Sequence, residues 1–142
     1  MGFLDSILGH KEQQLPELDS QSLAARRLER QRAHADAFAG KVKDRLEFVP
    51  ADAATYVFIG KPPGTFGIAW LENGEEHNLK TLLQKRGLAG QAATPITEAL
   101  RSAYEMHQNE PRYQTRLGGK TVTVTPSDGL ASQIGRILDN VS

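Results

Sequence analysis

The stretch Gly60-Lys61-Pro62-Pro63-Gly64-Thr65 places a lysine and a threonine hydroxyl inside a glycine-bounded turn, residue types that can hold a phosphate. A phosphate-binding P-loop sets its Lys after the last glycine of G-x-x-x-x-G-K-[ST] and opens a helix there, so that free amides point at the anion. Here Pro62 and Pro63 remove two amide donors, and the chain continues as a strand. Gly119-Lys120-Thr121 matches the end of the same motif, but Gln114 stands where its first glycine belongs. Neither loop is expected to bind a nucleotide in that way. What remains for the first is a stiff connection that can present Lys61 and Thr65 to a partner.

The other chemistry-bearing residues are sparse. Of the four histidines, His10, His34, His77 and His107, no pair has metal-ligand spacing. Glu75-Glu76-His77 is the tightest acid and imidazole cluster, and its acids suit the positive end of a helix starting there. An assembly of His77 with Glu105 or His107 would need the fold to create it. Ser127-Asp128 suits a first helical turn better than a catalytic pair, since no G-x-S-x-G elbow is present. Arg112, Arg116 and Lys120 form a cationic group interspersed with threonines. No cofactor or metal is implied.

Composition narrows the classes further. Seventeen basic residues balance seventeen acidic ones, so no overall field favours nucleic acid or an anionic membrane. Cysteine is absent, which removes disulfides, thiolate metal sites and thiol nucleophiles. No run approaches the roughly 20 apolar residues of a membrane span, and the first residues lack an export signal's basic and apolar regions. The expectation is a soluble protein of the cytoplasm.

The elements that must position these groups follow from periodicity. Residues 1–21 read as a short amphipathic segment, Phe3, Leu4, Ile7 and Leu8, followed by a polar linker with Pro16. Residues 22–48 read as one long leading helix, with a thin stripe of Leu28, Ala35, Phe38, Val42 and Leu46. Next come two strands around Lys61 to Gly64. That loop pairs Ile59 with Phe66, Val57 with Ile68 and Thr55 with Trp70, and makes both faces apolar. Glu76 to Arg86 reads as a short helix, and a second helix opens at Thr94-Pro95. A hairpin about Gly118-Gly119 sets Leu117 against Lys120, Thr115 against Val122 and Tyr113 against Val124, with a polar opposite face turned to water. A final amphipathic helix starts in Thr125-Pro126-Ser127-Asp128.

The fold expected is α+β: an antiparallel sheet of about four strands in two hairpins, helices mainly on one face, and the long helix ahead of it, all in one domain over residues 22–142. The function expected is a non-enzymatic interaction or self-association domain, binding a protein partner or its own copy as a homodimer. The long helix is its contact element, dispensable for folding of the sheet. The alternative is a small-ligand-binding or enzymatic domain with a site near the two hairpins, built from Lys61, Thr65, Arg112, Arg116 and His77. Nucleic-acid binding through Arg26 to Arg32 and the polar hairpin face is weaker, because Tyr113 points away from that face.

Overall fold

The computed structural model describes residues 15–141. Two helices come first, α1 (Leu23–Arg30) and α2 (Arg32–Lys41), then four strands, β1 (Leu46–Pro50), β2 (Ala54–Gly60), β3 (Phe66–Glu72) and β4 (Glu75–Asn78). Helix α3 (Leu79–Lys85), a 3-10 turn (Gly90–Ala92) and α4 (Ala93–Met106) lead to the hairpin β5 (Tyr113–Leu117) and β6 (Lys120–Val124). Helix α5 (Asp128–Asp139) closes the chain. The protein is α+β, with six strands in the order β4-β3-β2-β1-β6-β5. The sheet is mixed, because β1 and β6 run parallel while every other neighbouring pair is antiparallel.

The expected long helix is three elements. Ser22 starts α1 by accepting a hydrogen bond from the Ala25 amide, satisfying one free donor of the first turn. The helical path breaks at Gln31 and ends at Lys41. The Lys120 ammonium then donates to the Val42 and Asp44 carbonyls, at 2.9 and 2.6 Å, just past that end. Residues 46 to 50, Leu-Glu-Phe-Val-Pro, are a strand whose five residues are all buried. Both faces of that strand are therefore covered, and the alternation that betrays a half-exposed strand is absent.

Helices cover both faces of the sheet, not one. On the first face α1 and α2 bury Leu28, Ala35, Phe38 and Ala39 against Phe48, Val57, Leu71, Leu117, Val122 and Val124. On the second, α4 and α5 bury Leu100, Ala103, Tyr104, Leu130, Ile134 and Leu138 against Val49, Phe58, Ile68 and Trp70. Full burial of a side chain such as Phe58, with none of its surface exposed, stabilises by about 2 kcal/mol. Arg27 on α1 ties the layers at one end, reaching Asp52 between β1 and β2 at 3.0 Å and Asp128 at the start of α5 at 2.7 Å.

Turn chemistry sets the registers. Gly118 and Gly119 have φ of 57° and 81°, and the β5–β6 pairing is Leu117 to Lys120, Thr115 to Val122 and Tyr113 to Val124. A Cβ on Gly118 would lie 2.4 Å from the Asp36 carbonyl, so the turn packs flat on α2. Asn73 and Gly74, at φ 55° and 74°, make a second two-residue turn. It sends Glu75 to Asn78 back along β3 as a strand, where the sequence alone suggests the start of a helix. Helix α3 begins only after Asn78, whose side chain and that of Thr81 form a reciprocal capping box. The 3-10 turn brings the next helix in at Ala93, ahead of Thr94-Pro95, and Ser127 is the residue that caps α5.

At the centre of the sheet sits a fully buried carboxylate, Glu47. It accepts from Arg112 Nε at 2.9 Å, Tyr104 Oη at 2.8 Å and the Thr125 hydroxyl, with Arg45 Nη1 3.5 Å away. The Arg112 guanidinium also lies over the Tyr104 ring, 4.9 Å from its centre. Burial, and then the neighbouring Glu47 charge, push the Tyr104 phenol up to about 12, so it remains a donor. Burial acts against the Arg112 charge, yet Glu47 and Tyr104 leave its pKa raised.

These positions change what the leading segment does. A chain that begins at residue 49 lacks α1, α2 and most of β1, and is expected to show no cooperative thermal transition by circular dichroism. A cooperative transition in that truncated chain would show that the remaining strands make a core without β1.

Candidate functional site

The first hairpin is one residue out of the expected register. Its loop runs from Lys61 to Thr65, so Gly60 pairs with Phe66, Phe58 with Ile68, Val57 with Ala69 and Tyr56 with Trp70. Within the loop the Lys61 amide donates to the Thr65 carbonyl and the Gly64 amide to the Lys61 carbonyl. These amides are spent on the turn itself and cannot cradle a phosphate. Arg101 of α4 holds the loop from below, donating to the Pro63 and Gly64 carbonyls at 2.6 and 3.3 Å. Lys61 and Thr65 are exposed at its tip.

The other expected contact residues lie elsewhere. Arg112 is engaged inside with Glu47, and Lys120 with the carbonyls beyond α2. Arg116 is exposed beside the β5–β6 turn, donating to the Gly119 carbonyl and the Thr121 hydroxyl. His77 is on β4, at the opposite edge of the sheet from β5, about 24 Å away at 4.8 Å per strand step. The fold does not bring Lys61, Thr65, Arg112, Arg116 and His77 into one site. Nor does it join His77 to His107, whose ring nitrogens meet Glu110 and Gln133. Hydrogen bonds from His107 and Ser127 hold the Glu110 carboxyl below its ordinary range. The amphipathic segment expected around Phe3, Leu4, Ile7 and Leu8 lies outside the described residues. Of the linker that follows it, Glu17 bridges to Gln114 on the β5 edge.

The register that the structure adopts builds a different site. Tyr56, Trp70 and His77 stand directly across from one another on β2, β3 and β4. Trp70 and His77 stack with ring centres 5.7 Å apart and planes 20° apart. Ala54, Glu72 and Glu75 form the next row on the same face. This floor lies in a groove of about 830 Å³, with Thr81, Leu82 and Lys85 of α3 on one wall and Gly135, Leu138 and Asp139 of α5 on the other. A Cβ at Gly135 would lie 2.9 Å from Tyr56 Oη, so the missing side chain makes room for the phenol.

The charges around that floor are mostly negative. Glu76 pairs with Lys41 at 2.6 Å and Glu75 lies 3.6 Å from His77 Nε2. Glu72 and Asp139 have no ion-pair partner among the described residues. Burial first, then the charges of Asp139 and Glu72, raise the Tyr56 pKa. Arg86 donates to the Val141 carbonyl, directing its charge to the end of α5, and Lys85 is the cation left at the rim. An aromatic floor flanked by unpaired carboxylates suits an ammonium or guanidinium group, which both π faces and carboxylates attract.

Among the described residues no group of three or more His, Asp or Glu is placed to hold a metal ion, and no helix is long and apolar enough to cross a membrane. Comparison with protein-family models, curated proteins and solved structures returned no match.

Asp139→Asn is expected to lower the Tyr56 pKa, because removing the negative charge eases loss of the phenol proton. Nuclear magnetic resonance of the Tyr56 ring through the alkaline range reads it, and an unaltered value would mean that Asp139 does not act on the phenol. The sign for stability is fixed by the same shift. With a folded pKa above the unfolded one, the contribution of Tyr56 is complete below about pH 10 and is lost as pH rises through the folded value.

Proposed function

We propose that the protein is a non-enzymatic interaction module that receives a basic, extended segment of a partner protein in the groove between α3 and α5. The observation that carries this reading is the row Tyr56, Trp70 and His77 with the unpaired carboxylates Glu72 and Asp139 beside it. A lysine or arginine side chain laid on the partly exposed Tyr56 ring gains a cation–π contact and a charge-assisted hydrogen bond together. The acids are spread along the groove, Glu75 beside His77 and Asp139 beside Tyr56, which suits two cationic side chains better than one. The occupant is therefore a segment of chain with alternating basic residues. Lys85 at the rim opposes it, and an acidic residue in the ligand near that point would remove the conflict.

Trp70 is the sole tryptophan, so its fluorescence reports the groove directly. Titration of the full chain with a hexapeptide alternating arginine and serine is expected to give a saturable change, and the same peptide with glutamate in place of arginine none. The pair Glu72→Gln and Asp139→Asn should weaken binding about tenfold or more, as loss of charged hydrogen bonds does. No response to the basic peptide, or equal binding by the doubly substituted protein, would contradict the reading. Arginine amide binding as tightly as the peptide would make the groove a small-ligand site instead.

A further inference from the structure

The other end of the same sheet face has the opposite character. A cavity of about 470 Å³ opens there, lined by Leu15, Arg45, Gln114, Thr121 and Thr123. Thr121 and Thr123 are two residues apart on β6 and point to one side, which spaces their hydroxyls about 6.6 Å along the strand. Each touches one guanidinium: Arg116 Nη1 donates to Thr121 Oγ1 at 3.2 Å, and Arg45 Nη2 to Thr123 Oγ1 at 3.4 Å. Because each hydroxyl accepts from an arginine, its own proton is left to donate into the cavity.

Arg45 is poorly served where it stands. Its contacts to the Gly60 carbonyl, Glu47 and Thr123 are 3.5, 3.5 and 3.4 Å long, well beyond the about 2.9 Å of a strong bond of this kind. Glu47 is held by Arg112, Tyr104 and Thr125, and Glu17 by the Gln114 amide at 2.8 Å. Arg45 and two hydroxyl donors thus line one cavity with no carboxylate among its lining residues, and Arg116 reaches its edge through the Thr121 hydroxyl.

We propose that this cavity is an oxyanion site, taking the phosphate of a small phosphorylated molecule between Arg45 and Arg116, with the Thr121 and Thr123 hydroxyls as further donors. Arg116 closes over the anion from the exposed side, and Arg45 turns to it from its three long contacts. Charge-assisted bonds to a phosphate are shorter and stronger than those Arg45 now makes. The site is independent of the acidic groove, with which it shares no lining residue.

Backbone amide signals of the isotope-labelled full chain, followed while inorganic phosphate and then glycerol phosphate replace chloride at constant ionic strength, test this. Saturable shifts at Thr121, Thr123 and Gln114 are expected, weakened about tenfold by Arg116→Gln and also reduced by Thr121→Val. Tighter binding of the ester than of inorganic phosphate would identify the small molecule as the source of the anion. Shifts that do not saturate, that centre on another part of the surface, or that persist unchanged in Arg116→Gln would overturn the proposal. Arg116 and Thr121 are both exposed, so the substitutions leave the core intact.

Discussion

A single buried carboxylate in the middle of the sheet fastens its two pieces to each other. Strands β1 to β4 form an antiparallel meander, and β5 with β6 form a hairpin, and the two meet along a parallel seam of only two residue pairs, Glu47 to Thr123 and Phe48 to Val124. Beyond it, the Thr125 amide adds one hydrogen bond to the Phe48 carbonyl. Glu47 fastens that seam through side chains, gathering Arg112 from the entry to β5, Thr125 from the exit of β6 and Tyr104 from α4. Burying a carboxylate and a guanidinium costs several kcal/mol per ion, roughly, which close geometry and further hydrogen bonds must offset. The compensation is incomplete, since Arg112 Nη2 is buried without a partner. Such an arrangement specifies a geometry more than it adds stability, because loss of either partner strands the other in the core.

That seam also decides what the second face of the sheet can offer. Helix α4, anchored by Tyr104 over Glu47 and by Arg101 under the Lys61 to Thr65 loop, covers the middle strands with α5. Both ends of the face are left partly open. At one end the cross-strand row of Tyr56, Trp70 and His77 lies among carboxylates, and at the other Arg45 and Arg116 stand beside threonine hydroxyls. A chain with no net charge thus separates its charge along one surface. The two functional readings rest on that separation and call on opposite chemistry.

The hairpin β5–β6 is readable from sequence because Gly118-Gly119 is short, conformationally explicit and flanked by clean alternation. The first hairpin is readable as an element but slips by one, since a five-residue loop stands where a four-residue one is expected. That single slip moves Trp70 from opposite Tyr56 to opposite Thr55 and so conceals the aromatic row. Strand β1 is hidden for a different reason. Leu46 to Pro50 continues the helix-like spacing of the preceding residues, and its buried Glu47 looks like an ordinary solvated charge until Arg112, from 65 residues later, is brought to it. The nearness of Arg45 to the threonines of β6 is equally illegible, because the parallel seam of β1 and β6 that creates it is a long-range contact with no local signal. Amphipathic α5 needs nothing beyond its own periodicity.

The most direct test of the account is a double-mutant cycle on Glu47→Gln and Arg112→Gln, with stability of the full chain read from urea unfolding. If the buried pair fastens the seam, each single substitution is strongly destabilising and the double one falls well short of their sum, with a coupling of about 1–3 kcal/mol. Additive effects, agreeing to within about 0.5 kcal/mol, would mean that Glu47 and Arg112 act independently and that the meander and the hairpin are held together by the surrounding apolar core instead.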